Sequence, residues 1–352
     1  MVEFSTKTNA DLLTHQRMRW IDYAKGVGIF LVVLGHTLRS LVNSSILESS
    51  TAVSAIDQWI YAFHMPLFFF LSGLFIHRST SKPLIDFVVD KLKVIGYPYV
   101  VWSLLGGFFQ AMASRYTTSK VSFADLWQIV YHPPLQFWFL YVLFIIVLAY
   151  AVAHKLRVPP VLFLILSIVF YYLPGYVRLG DWGVLYLFKY NAIYLALGVL
   201  VGSGRAMSGL QRIKTQTLLI VTGCGFLAVG LAVWFNLAEE LLLKPEVALF
   251  GIVASVALAI LLERFNVTCF VEQWGRSSLE IYVAHTIASA ILRIVLQKVC
   301  GFKEPIAHLV VGTAVGIYAP IALKTICHRI GFRYMFTLRS NRQGKVSNAY
   351  PV

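Results

Sequence analysis

Ten apolar runs, each close to the length of a bilayer crossing, decide what this chain can fold into. They lie at roughly 21–42, 57–77, 91–113, 136–153, 159–174, 184–203, 216–236, 245–263, 278–297 and 305–327. A hydrocarbon layer about 30 Å thick takes about 20 apolar residues as a helix. In lipid only a helix or a closed barrel satisfies the backbone internally. The chain is 58% hydrophobic and 13% charged, against about half and about a quarter in soluble domains. The expected fold is an all-α polytopic membrane protein, a bundle of about 10 transmembrane helices. The fifth run is short and stops at Pro174-Gly175.

The charge pattern orients the bundle. Of 30 Lys and Arg, 20 fall in the segments and span ends that share a side with the N-terminus, and 7 in the alternate ones. Lys25, Lys189 and Arg293 lie deeper within spans. Positive residues favour the cytoplasmic side, so both termini are expected there. The net charge of +14 then reflects topology and contact with anionic lipid. Membrane lipid is an expected partner and nucleic acid is not. Residues 1–16 read as a polar cytoplasmic tail, 17–330 as the membrane domain and 331–352 as a basic cytoplasmic tail lying on the inner surface. The first span follows a polar start and is full length, so it reads as a retained anchor, not a cleaved signal. The expected location is the cell (inner) membrane.

Four cysteines, Cys224, Cys269, Cys300 and Cys327, show no metal spacing and no disulfide framework; no metal is expected. Cys224 sits in an apolar run and reads as a small core residue. Residues 114–135 carry Phe123, Leu126, Trp127, Ile129 and Val130 at helical spacing, which suggests an interfacial helix on the outer face.

Ionisable residues inside spans are costly and point to function. The first span, WIDYAKGVGIFLVVLGHTLRSLV, carries Asp22, Lys25 and His36. Lys25 and His36 are eleven positions apart, close to three full turns. They share a face about 16 Å apart in depth. A neutral imidazole can take a proton from a hydroxyl, so His36 is the candidate base; the bland alternative is a histidine bonded to a neighbouring helix. Lys25 reads equally as a phosphate contact or as a snorkelling anchor. Asp22 either neutralises Lys25 or orients a catalytic group.

The second span, YAFHMPLFFFLSGLFIHRS, offers His64 as a site residue, or as a histidine bonded to a backbone carbonyl near Pro66. Ser72-Gly73 provides a small face for close packing. Arg78 ends this span, and Lys91 and Lys93 open the third. Cations at a helix N-terminus suit a phosphate, and also suit a plain topology signal. The ninth span carries Glu280, His285 and Arg293. His285 and Arg293 lie within about 80° of each other, whereas Glu280 and His285 are about 140° apart and do not pair. Arg293 is expected to face an outer aqueous cavity. Trp138 reads as an interfacial aromatic or a site wall. Beside an enzyme, these residues would suit a secondary transporter of a glycan precursor or a proton-coupled solute. Against the carrier, no inverted repeat or pair of matched broken helices is seen. A membrane sensor or scaffold is the third class.

The residues together resemble the membrane acyltransferase 3 family, in its branch of bacterial sugar O-acetyltransferases that includes fucose 4-O-acetylase-like proteins. The resemblance spans most of 17–330. It rests on Lys25 and His36 within IDYAKGVGIFLVVLGH, FHMPLFFFLSG at 63–73, DKLKVIGYPYV at 90–100, FWFLYVLF at 137–144 and SLEIYVAHT at 278–286. It implies an acyltransferase of groups other than aminoacyl, moving acetyl from cytosolic acetyl-CoA, the cosubstrate, to a sugar hydroxyl. The acceptor would be a surface or exported glycan or a lipid-linked oligosaccharide, with polysaccharide-assembly proteins as partners. His36 would be the catalytic base with Asp22 in support, and Lys25, Arg78, Lys91 and Lys93 would hold the donor. His64, Trp138, Glu280 and His285 would line the acceptor. Lys stands at 25 and 91 where many members have Arg; a point charge replaces a bidentate fork.

Overall fold

The computed structural model describes residues 18–112, 123–173, 183–204, 206–266, 269–332 and 334–338, without the side chains at 78, 123–126, 206 and 208. The predicted tail 1–16 and the end of the predicted tail 331–352 lie outside these residues, as does the side chain of Arg78. The described residues form helices α1 (Arg19–Asn43), α2 (Thr51–Ser79), α3 (Leu84–Lys91), α4 (Tyr97–Met112), α5 (Trp138–Lys155), α6 (Pro160–Tyr172) and α7 (Gly183–Ser203). They continue with α8 (Ala206–Leu210), α9 (Thr215–Trp234), α10 (Lys244–Phe265), α11 (Cys269–Arg276), α12 (Ser278–Ile294) and α13 (Pro305–Arg329). Among the described residues, nine segments are long and apolar enough to cross a membrane, and α6 is a shorter apolar helix of 13 residues. The chain is an all-α, multi-pass membrane protein.

α1 is the central post. It packs against α2, α10, α11, α12 and α13. The closest approaches use residues without a side chain. A Cβ on Gly73 would lie 2.2 Å from the Leu195 carbonyl oxygen, and one on Gly198 would lie 2.1 Å from that of Phe70. The α2–α7 interface is therefore set by backbone contact, as the small face at Ser72-Gly73 predicts.

Hydrogen bonds between connecting segments sort the bundle into two ends. At the end where α1 begins, Arg19 bonds Glu272 of α11, Lys155 donates to the Lys82 carbonyl, and Arg264 donates to the Gln211 carbonyl. At the end where α1 finishes, Arg39 bonds Asp57, Gln58 donates to Glu239, and Gln297 donates to the Ser44 carbonyl. The hydroxyls of Tyr171 and Tyr172, on the last turn of α6, reach the carbonyls of Leu241 and Leu242 between α9 and α10. Short as it is, α6 thus joins the two ends.

The third span is bent. Between α3 and α4, Leu92–Gly96 forms a π turn in which the Tyr97 N–H donates to the Leu92 carbonyl. Pro98 follows. Its ring crowds the carbonyl four residues back and it has no N–H to give, and a wider turn relieves that crowding.

Three expectations are corrected. Cys224 is exposed on the outer face of α9, not in the core; an apolar run in a membrane protein faces lipid as readily as protein. The described part of the outer segment at 114–135 forms a 3-10 helix, Phe123–Val130, which Tyr99 and Tyr141 bond through the carbonyls of Ile129 and Val130. Residues 334–338 do not lie free on a surface: Phe336 is buried and stacks on Trp102, with ring centroids 5.3 Å apart. The Tyr97 hydroxyl donates to the Tyr334 carbonyl and the Trp102 indole to the Met335 carbonyl.

Candidate functional site

The first half of α1 carries a charged clasp. Asp22 is buried, with its carboxylate 3.6 Å from the Arg276 Nε of α11. Glu272 accepts from Arg19 at 2.8 and 3.2 Å and from Arg276 as well. α11 can reach these partners because Gly26 and Gly275 leave the two helices in backbone contact. A Cβ on Gly275 would lie 1.7 Å from the Asp22 carbonyl oxygen. Asp22 is fourteen residues before His36, about 21 Å along the axis. It does not touch the imidazole, and the cation shown beside it is Arg276 of α11.

Lys25 is half-buried on this half of α1. Lys91 is buried, with Nζ 5.4 Å from the centre of the Phe87 ring. Lys93 is exposed on the π turn, and its carbonyl accepts from the Leu338 N–H and the Thr337 hydroxyl. These lysines therefore gather at the end of the bundle where α1 begins. Glu280 also lies toward that end, but it pairs with Lys324 of α13 at 2.7 Å and not with His285.

The second half of α1 meets a cluster of rings. His36 lies 5.2 Å from His285 and 6.1 Å from Tyr61, centroid to centroid. Tyr61 is edge-on to His64 at 4.6 Å. His64 and His285 are both about 1% exposed. His285 comes this close because α13 leaves room behind α12: a Cβ on Gly316 would lie 2.6 Å from Ser289 Oγ and from Val33 Cγ1. No described protein group hydrogen-bonds the His36 ring.

The backbone fixes the other two imidazoles. His64 Nδ1 lies 2.8 Å from the Ile60 carbonyl oxygen. His285 Nδ1 lies 3.0 and 2.8 Å from those of Ile281 and Tyr282. A carbonyl oxygen only accepts, so each Nδ1 carries the hydrogen and each neutral ring presents Nε2 as an acceptor. His285 Nε2 and the Tyr61 hydroxyl are both buried, and neither has a hydrogen-bond partner among the described residues. Leaving a buried polar group unmet costs about 1–3 kcal/mol. These atoms are available to a ligand or to a neighbouring ring.

Arg39, Asp57, Tyr61, Tyr282 and Gln136 belong to this region, and sequence reasoning did not select them. Arg39 grips Asp57 through two bonds of 2.7 and 2.8 Å and lays its guanidinium 3.2 Å over the Tyr61 ring. The Tyr282 hydroxyl donates to the Gln136 carbonyl, while the Gln136 amide donates to Thr286 at 2.7 Å. Helical spacing held part of the signal. Arg39 is three residues after His36 and Tyr61 three before His64, so each shares a face with its histidine. Trp138 packs on Phe69 and Phe139, both at 6.4 Å; it is Phe139 that meets Tyr282, at 5.4 Å. Arg293 is half-buried, with a 3.4 Å bond to Gln297. Among the described residues no group of three or more His, Cys, Asp or Glu could hold a metal ion.

A multi-pass bundle that holds His36, His64 and His285 inside, with basic residues toward its other end, suits chemistry or solute passage within the helices. The model of the acyltransferase 3 family, described as an acyltransferase domain, matches residues 18–325. The chain belongs to that family and is a membrane acyltransferase, which sets the enzyme above the carrier reading. No curated protein matches the chain, and no solved structure does.

Proposed function

We propose that this protein is an O-acetyltransferase of the family's sugar-modifying branch, set in the cell's inner membrane with both termini in the cytoplasm. It takes acetyl from cytosolic acetyl-CoA and delivers it to a sugar hydroxyl of a surface or exported polysaccharide, or of its lipid-linked precursor. One observation carries this reading: His36 lies inside the bundle with no described hydrogen bond, beside an unpartnered imidazole nitrogen, on the same helix face as Lys25.

The donor phosphates meet Lys25, Arg78, Lys91 and Lys93 at the end where α1 begins. These residues fit the task because they are cations toward the end where α1 begins, with Lys91 and Lys93 at the bend of the third span. The donor must cover the roughly 16 Å rise between Lys25 and His36. His36 takes the proton from the sugar hydroxyl as its oxygen attacks the acetyl carbonyl carbon. A new C–O bond forms, the C–S bond breaks, and the proton passes from His36 to the departing thiolate. His64 lines the acceptor side.

The test is His36→Ala in cells that make the acetylated polymer, with O-acetyl groups counted by NMR. General-base catalysis contributes about 100- to 10,000-fold, so acetylation should fall to background at normal protein level. Unchanged acetylation would end the proposal. Lys25→Ala should raise the KM for acetyl-CoA more than it lowers kcat; loss of acceptor binding alone would count against the donor assignment.

A further inference from the structure

We infer that His285 is the positioning partner of His36: its Nε2 accepts the N–H of the His36 ring and so leaves the other His36 nitrogen free to act as base. This inference rests on the proposed role of His36.

A neutral imidazole has one N–H and one lone pair. For His36 to take a proton from a hydroxyl, the lone pair must face the substrate. The N–H must then sit on the far nitrogen, and inside an apolar bundle it needs an acceptor. His285 offers one. Its own hydrogen is committed to the carbonyls of Ile281 and Tyr282, so Nε2 is a lone pair that no described group meets. The rings are 5.2 Å apart, centre to centre, and tilted by 55°. Two imidazoles joined by an N–H···N bond of ordinary length have centres about 5 Å apart. Rotation of one ring therefore completes the bond without moving a helix. When His36 becomes imidazolium, the same bond stabilises it. This is the part a carboxylate plays in a Ser-His-Asp triad, here played by a neutral group that places no second charge in the membrane.

The competing acceptor is the Tyr61 hydroxyl, also without a partner among the described residues, on a ring 6.1 Å from His36. Tyr61 is gripped by Arg39 and abuts His64, so it lies on the opposite flank.

Four variants separate these roles. His285→Phe removes both nitrogens. His285→Asn keeps a donor near the Nδ1 position for the two carbonyls and has nothing at Nε2, so it serves where the Phe variant does not accumulate. His285→Gln reaches the Nε2 position with an acceptor oxygen. Tyr61→Phe removes the rival. The readout is the initial rate of radiolabelled acetyl transfer from acetyl-CoA into membranes that hold the acceptor, per amount of folded protein. His285→Phe and His285→Asn should lower kcat about 100-fold with KM for acetyl-CoA within twofold. His285→Gln should recover at least tenfold of that loss, and Tyr61→Phe should not reproduce it. Equal losses in Gln and Asn would overturn the inference and leave His285 a packing residue. Loss in Tyr61→Phe alone would pass the role to Tyr61. If His36→Ala is inactive while His285→Asn works normally, only this inference fails; if His36→Ala works normally, both fail.

Discussion

The two halves of α1 solve the problem of polar groups in a bilayer differently. In the first half the charges answer one another: Arg19, Glu272, Arg276 and Asp22 form one chain of ion pairs between α1 and α11. In the second half the groups are neutral rings, and Arg39 sends its charge outward to Asp57. Unpartnered atoms alone do not tell these halves apart, since Trp20 Nε1, Tyr23 Oη and Trp274 Nε1 near the clasp also lack a partner among the described residues. What differs is the kind of atom. An indole N–H only donates, and a phenol holds its proton near neutrality. His285 Nε2 is a lone pair beside another imidazole, able to accept that ring's N–H. A clasp built from paired charges holds helices together, whereas imidazoles that present an open lone pair suit proton transfer.

The comparison breaks most completely if the clasp cannot close. Gly275→Val would set a side chain where the Asp22 carbonyl already stands, 1.7 Å from the first added carbon. That backbone is helical and central, so it cannot step aside. Overpacking typically costs 1–3 kcal/mol or more, and about 3 kcal/mol or more is expected here. The expected result is loss of folded protein in detergent, read by fluorescence-detected size exclusion. A monodisperse peak at wild-type height would show that α11 is not held against α1.

How much of this was legible beforehand follows from what each signal measures. Apolar run length is set by bilayer thickness, so the spans could be read directly, including the short run that became α6. The positions of His36 and Lys25 on one face follow from helix geometry. The partners of His36 were not readable, because His285 lies 249 residues away and helix spacing says nothing of which helices meet. Arg39 was counted as a topology charge, although its place three residues after His36 held the hint. Glu280 and His285 share a span and a candidate role in the sequence, yet one pairs with Lys324 and the other faces His36. Cys224 misled because hydrophobicity alone does not separate lipid-facing from core-facing positions.

A smaller effect tests the clasp's chemistry. Glu272→Gln removes the charge that Arg19 and Arg276 share, and leaves Asp22 facing Arg276. Both arginines are 40% or more exposed in their side chains, so solvent screening limits the loss to about 1–2 kcal/mol. Arg19, by its hydrogen bond, holds the Glu272 carboxyl below its ordinary range, against the opposing effect of burial. A depressed carboxyl contributes stability that is fully present above its unfolded value, near 4.3, and is lost as pH falls through the folded one. The melting gap between wild type and Glu272→Gln should hold steady from pH 8 to about 5 and narrow below about 4.3. Transfer activity per folded molecule at pH 7 should stay within about twofold. A fall like that of His36→Ala would mean that the clasp belongs to the reaction.

The smallest effect is expected where the sequence promised more. Glu280 was a candidate acceptor contact, and it stands 2.7 Å from Lys324, with the two side chains 14% and 29% exposed. An ion pair of this kind contributes about 1 kcal/mol or less. Glu280→Gln keeps a hydrogen-bonding group for Lys324 and should leave both KM values and kcat within about twofold, with a slightly lower melting temperature. His285 is only five residues further along the same helix, about 7.5 Å in depth and well round its face. Two substitutions on one helix, one silent and one severe, would place the working boundary of the site between them. If Glu280→Gln instead raises the acceptor KM several-fold, the ion pair opens during the reaction, and the acceptor reaches further toward the clasp than the ring cluster alone suggests.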